Sequence, residues 1–185
     1  RTIREQAERL CFVTSAWGAA PRAELAERLL ALSGFDGGQV FFTLGGADAN
    51  EHAVKLARLA EDRPRGLVVT RDRSYHGATY GAMALSGDLR TSAQVDPERF
   101  DVLRVPPPYA YRCPFGSSSE EECAARAVER VAIALDEHAP RNGVAAVLME
   151  PNAGTNGIVA PDAYWPALCA ATRERGVPLI ADEVM

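Results

Sequence analysis

Two rhythms of apolar residues alternate along this chain. Short runs dense in aliphatic and β-branched residues, GLVVT (66–70), DVLRV (101–105), VAAVLME (144–150) and PLIAD (178–182), read as strands. A further run of this kind, QVFFT at 39–43, predicts an earlier strand. Helical spacing separates them. Ile3, Ala7, Leu10 and Cys11 mark a first helix, and Leu25, Leu29 and Leu32 a second, opened by Pro21 and stopped by Gly34. Further helices are expected over 47–60, closed by the breaker cluster Arg63–Gly66, and over 79–85. Another runs from a capping box at Ser119 and Glu122 to Asp136, and the last spans 162–175 with Gly176 as its stop. The stretch 152–161, NAGTNGIVAP, reads as an irregular loop.

Near-continuous apolar strands separated by helices predict an α/β fold with a mainly parallel sheet and helices on both faces. In such sheets ligands bind where strands end and helices begin. With 185 residues, 47% of them hydrophobic, the chain can bury one sizeable core. Residues 36–185 are expected to form it, with the helices of residues 1–35 packed on its flank.

Charge and cysteine usage narrow the function classes. A net charge of −5 with mixed signs lacks the basic patch that nucleic acid or an anionic membrane would need. No apolar run approaches the ~20 residues of a membrane span, and no signal-peptide pattern opens the chain, so a cytoplasmic location is expected. Cys11, Cys113, Cys123 and Cys169 are scattered without a CxxC pair, which predicts buried free thiols and no metal site. Lys55 is the single lysine among 20 basic residues.

Candidate chemistry gathers at strand ends. Gly45 and Gly46 turn the chain into a helix, whose free N–H groups at Gly46 and Ala47 suit a phosphate; two glycines alone are equally a plain turn. Tyr75 follows a strand and can lie flat on a heteroaromatic ring, with Gly77 allowing close approach; a core tyrosine is the alternative. His76 reads as a structural hydrogen-bonder or, less in keeping with a loop position, a general base. Asp182 emerges from an apolar strand, where a carboxylate needs a partner, and a protonated pyridine nitrogen is suitable. Capping the next turn is its plainer role. Glu150 is a second strand-end carboxylate. No P-loop GK[ST] or GxGxxG accompanies the glycines, which speaks against a nucleotide-binding module.

Three strings carry a family resemblance. FTLGGADANEHAVKLAR (42–58), SYHGATYGAMALSG (74–87) and LIADEV (179–184) resemble the cofactor half of class III (omega-type) aminotransferases, pyridoxal-phosphate enzymes of fold type I. EPNAGTNGIVAP (150–161) matches a fourth segment of that family. Leu44, Gly45, Ala47 and Asp48 depart from its pattern, Ala47 without the hydroxyl common there, and so do Asn152 and Ala153. The resemblance implies pyridoxal 5'-phosphate as cofactor, held at its phosphate by Gly46 and Ala47. Its ring would lie between Tyr75 and Val184, its nitrogen would pair with Asp182, and His76 and Glu150 would stand beside it. It also implies transfer of an amino group from an amine donor to a 2-oxo acid acceptor such as pyruvate, as in taurine- and beta-alanine-type enzymes. A homodimer is implied, with a cofactor-binding lysine a few dozen residues beyond Asp182. Lys55 does not match that position, so a fragment lacking lysine and small domain is expected to be inactive by itself. A related aminomutase or decarboxylating enzyme would use the same cradle.

Overall fold

The computed structural model describes residues 1–14, 16–60, 66–96, 100–138 and 143–185. The chain divides into two compact units, Arg1–Phe42 and Thr43–Met185, so the division falls after Phe42 and not after residue 35. In the first unit, α1 (Thr2–Arg9) and α2 (Ala20–Ser33) form as their spacing predicts. Pro21 sits in the first turn of α2, and Gly34 ends it in the left-handed conformation at φ +70°. Neither helix buries a residue within the protein. The predicted strand at 39–43 belongs to neither sheet. Its β-branched and aromatic composition is a propensity only; a strand also needs a neighbouring ladder.

The second unit alternates as expected. α3 (Gly46–Ala60) is followed by β1 (Leu67–Arg71), α4 (Tyr80–Leu85), α5 (Leu89–Ser92) and β2 (Val102–Val105). A short 3₁₀ turn at Ala110–Arg112 precedes α6 (Glu120–His138) and β3 (Val144–Met149). The hairpin strands β4 (Asn152–Ala153) and β5 (Ile158–Val159), then α7 (Tyr164–Glu174) and β6 (Leu179–Ala181), complete it. The expected breaker cluster at Arg63–Gly66 lies outside the described residues except for Gly66. The expected irregular loop at 152–161 instead pairs with itself: Asn152 and Ala153 run antiparallel to Ile158 and Val159.

Four strands make a wholly parallel sheet in the order β2-β1-β3-β6. Alternation along the central strands serves two cores. Val69, Val147 and Met149 pack with Val131, Leu135 and Leu168 of α6 and α7, while Val68 and Leu148 pack with Val54 of α3 and Leu85 of α4. All six residues of β3 are buried, as a central parallel strand covered on both faces must be. Each fully buried Val or Leu contributes roughly 1.5–3 kcal/mol as an upper estimate.

Helix ends follow their chemistry with one displacement. Ser119 Oγ accepts the Glu122 N–H at 3.1 Å, but the Glu122 carboxylate reaches back to the N–H of Ser118, not of Ser119, at 2.9 Å. Gly176, at φ +61°, stops α7. The cysteines are free, yet only Cys123 is buried; Cys11 is exposed, and Cys113 and Cys169 are half-buried. Solvent therefore reaches thiols whose apolar character alone suggested the interior. Hydrogen bonding links the Cys113 and Cys123 side chains: burial pushes Cys123 up to about 12, while bonds from Cys123, Ser117 and Phe115 outweigh burial at Cys113 and hold it at about 7. Among the described residues no helix is long and apolar enough to cross a membrane, and no cluster of His, Cys, Asp and Glu could hold a metal ion.

Candidate active site

The parallel sheet brings the C-terminal ends of β1, β3 and β6 side by side, and α3 begins beside them. Asp182 follows β6, and its N–H donates to the Met149 carbonyl at 2.9 Å, so one ladder hydrogen bond beyond the strand holds it in register. His76 Nδ1 lies 2.9 Å from Asp182 Oδ2, and Asn50 Nδ2 donates to the same oxygen at 2.8 Å. Asn50 also donates to the His76 carbonyl at 2.9 Å. Burial pushes the Asp182 carboxyl up, but the His76 and Asn50 hydrogen bonds, with the Val184 N–H, outweigh it and hold the group below its ordinary value. An ionised carboxylate has no hydrogen to give, so the proton of the His76–Asp182 bond belongs to Nδ1.

His76 is itself locked. Its side chain is inaccessible to solvent, and its backbone N–H donates to Ser86 Oγ at 2.9 Å. Its Nε2 is buried without a partner. Ser74 Oγ donates to the Arg71 carbonyl at 2.7 Å and accepts the Gly87 N–H at 3.0 Å, tying the loop after β1 to the end of α4. The start of α4 is held by Glu51 of α3, whose Oε1 accepts the Thr79 hydroxyl and, at 3.2 Å, the Ala82 N–H. A Cβ on Gly77 would overlap the Ala47 side chain, and its φ of +131° is one that only glycine adopts readily. The Tyr75–Gly77 loop thus closes directly onto the first turn of α3.

That first turn leaves room. A Cβ on Gly45 or Gly46 would meet nothing within 4 Å, so backbone N–H groups stand open at the N-terminus of a 15-residue helix. Gly46 is exposed and Ala47 half-buried. Tyr75 is 38% exposed, its side chain accessible beside the buried His76. Its N–H makes a long hydrogen bond, 3.4 Å, to Glu150 Oε1. Burial raises the Glu150 carboxyl, His76 and Arg71 pull it back, and the neighbouring charge of Asp182 pushes it up again. Val184 is 70% exposed and contributes its N–H to Asp182.

Six of the seven expected site residues are linked by the chain and by the Gly77–Ala47, Tyr75–Glu150 and His76–Asp182 contacts, and Val184 joins through its backbone. Three participants are new. Asn50 was legible as the polar member of the buried stripe Asn50, Val54, Ala57, since a buried amide needs partners. Ser86 and Arg71 carried no such signal.

The chemistry of the first turn of α3 and of Asp182 suits a cofactor that carries a phosphate and a ring nitrogen. The open helix N-terminus matches the phosphate, and the ionised Asp182, with both side-chain donors on Oδ2, matches a protonated ring nitrogen. The sequence comparison agrees: residues 1–185 match the model of the family described as Aminotransferase class-III. The chain belongs to the class-III aminotransferases. One relative is the leucine/methionine racemase of Thermococcus litoralis, 36% identical over 187 residues, 100% of this chain and 41% of that protein. Among solved structures, the (S)-enantioselective omega-transaminase of Thermomicrobium roseum superposes with a TM-score of 0.86 at 34% identity, covering 97% of this chain and 41% of its own. The taurine:2-oxoglutarate aminotransferase of Bifidobacterium kashiwanohense, solved with PLP and glutamate, gives 0.83 at 32% identity, with 97% and 40% coverage. The chain spans about two-fifths of the length of these relatives.

Proposed function

We propose that a full-length protein carrying this class-III aminotransferase chain transfers an amino group from a primary amine or amino acid to a 2-oxo acid such as pyruvate, as a homodimer using pyridoxal 5'-phosphate. The observation that carries this reading is the Asn50–His76–Asp182 hydrogen-bonded unit, which holds the half-buried Asp182 carboxyl below its ordinary value and includes a residue of α3, the helix whose N-terminus stands open. When bound, the cofactor supplies a cationic ring that accepts electrons from the substrate carbon. The residues of this chain then have distinct tasks. Gly46 and Ala47 would hold the phosphate through backbone N–H groups, and Tyr75 and Val184 would flank the ring. Asp182 keeps the ring nitrogen protonated because His76 and Asn50 keep Asp182 ionised. Glu150, which accepts the Tyr75 N–H, would line the site near the substrate.

A second reading, amino-acid racemisation, has the 36% identity to the racemase over the whole chain behind it. One experiment separates the two. The full-length protein is incubated with pyridoxal phosphate and single-enantiomer amino acids or amines, with and without pyruvate, and products are resolved by chiral chromatography. Alanine formed at the donor's expense supports transamination. Inversion of the donor without pyruvate, and no alanine with it, removes transamination in favour of racemisation.

A further inference from the structure

A fully buried cation lies behind the candidate site and has no task in the reading above. Arg71, the last residue of β1, is 1% exposed. A buried guanidinium is costly unless its partners are close and well oriented, and an apolar residue would serve strand packing equally well. Its partners lie on the elements that build the site. Nη2 donates to the Glu150 carbonyl at 2.7 Å and stands 3.7 Å from Glu150 Oε2. The Arg71 side chain also donates to the hydroxyl of Tyr164, a residue of α7 that is itself fully buried. The Arg71 carbonyl receives the Ser74 hydroxyl, so the same residue starts the loop that carries Tyr75 and His76.

Glu150 is the residue that this arrangement leaves poised. Its side chain is 2% exposed, Oε1 takes the Tyr75 N–H, and Oε2 has no hydrogen-bond partner. Without the guanidinium beside it, that carboxylate would keep only the long bond from the Tyr75 N–H and the attraction of His76. We propose that Arg71 is a positioning residue, fixing the Glu150 carboxylate against the Tyr75 N–H and thereby setting the aromatic side chain at the site. A single guanidinium nitrogen, Nη2, serves the Glu150 carbonyl and faces its carboxylate at once. The proposal rests on the site reading above for what Tyr75 and Glu150 do, but the contact itself is independent of any ligand.

The test is amide hydrogen exchange in the cofactor-free full-length protein, resolved at Tyr75 with overlapping peptides. Arg71→Met and Glu150→Met, the second of which removes the acceptor outright, should each speed exchange at Tyr75 about ten-fold, the worth of one hydrogen bond, while Val69 and Val147 in the strand interiors keep their wild-type rates. The double variant should exchange no faster than the single ones, and Arg71→Lys should fall between wild type and Arg71→Met. Unchanged exchange at Tyr75 in Arg71→Met overturns the proposal. So does an equal rise at Val69 and Val147, which would make Arg71 a core residue only. If Arg71→Met does not fold, Arg71→Lys and Glu150→Met decide, and wild-type exchange in both overturns it. Because no cofactor or substrate is present, lack of transamination would sink the functional reading and leave this result standing.

Discussion

His76 donates its Nδ1 proton to Asp182 across 2.9 Å, although the two residues are 106 positions apart in the chain. One sits in the loop after β1 and the other just past β6, with β3 between those strands in the sheet. The bond gives His76 its part: an oriented donor whose ring is buried too deeply to take protons from a substrate unaided. That agrees with the hydrogen-bonder expected of a loop histidine and disfavours the general base.

If Asp182 keeps a ring nitrogen protonated, its charge matters more than its shape. Asp182→Asn in the full-length protein should preserve the fold and lower transamination turnover by at least about ten-fold. Steady-state kinetics with saturating cofactor measure this. Wild-type turnover would take Asp182 out of the electron-sink role.

Asn50 should matter through Asp182. Asn50→Ala removes a donor to a half-buried carboxylate and is expected to cost about 1.5–3 kcal/mol at pH 7. The sign with pH follows from the lowered Asp182 value. A carboxyl held below its unfolded value of about 3.9 stabilises the fold above that pH, and this stability is lost as pH falls through the lower folded value. Urea midpoints of wild type and variant should therefore differ most from about pH 5 upward and converge below about pH 4. A gap that stays constant down to acid would mean that Asn50 acts through packing and its bond to the His76 carbonyl, not through Asp182.

The phosphate cup can be tested without breaking the fold, because a Cβ at Gly46 meets no atom within 4 Å beyond its neighbours and its own helix turn. Gly46→Val should leave thermal stability nearly unchanged and raise the dissociation constant for pyridoxal phosphate about ten-fold or more by crowding the N–H groups. Asp48→Ala loses the bond from the Leu44 N–H at 3.1 Å, a helix-start contact, and should weaken cofactor binding less. Fluorescence titration of both variants makes the comparison. Equal affinities in both variants and wild type would place the phosphate elsewhere.

Lys55 lies five residues beyond Asn50 on α3, roughly 140° further round the helix at 3.6 residues per turn. It lines a cavity of about 320 Å³ with Val54, Arg58, Leu59 and Phe100, a space to which Asp182, Tyr75 and Glu150 contribute nothing. Borohydride reduction of this 185-residue chain after incubation with pyridoxal phosphate should give no stoichiometric label at Lys55 on peptide mapping. A full equivalent there would make the chain a self-contained site.

Local pattern was enough for the elements that interact mainly with themselves or with a continuous core. Apolar runs of strand length, helical stripes, Pro21, Gly34 and Gly176 made the α/β alternation legible, because caps and periodicity act within a few residues. The glycine turn before α3 and the Tyr75–His76–Gly77 string pointed to the site for the same reason. The segment 39–43 shows the limit: its composition favours a strand, but pairing depends on what lies alongside, and it joins neither sheet. The short pairing of 152–153 with 158–159 is the converse, made by close return of the chain and not by propensity. Partnerships across the sheet were likewise beyond the sequence. Which atom Asn50 and His76 hold, why Ser86 is buried, and that Arg71 stands under Glu150 follow from the order β2-β1-β3-β6, which sets residues tens of positions apart at adjacent strand ends. Sequence spacing carries the chemistry that each residue can perform; only the register of neighbouring strands decides which of them meet.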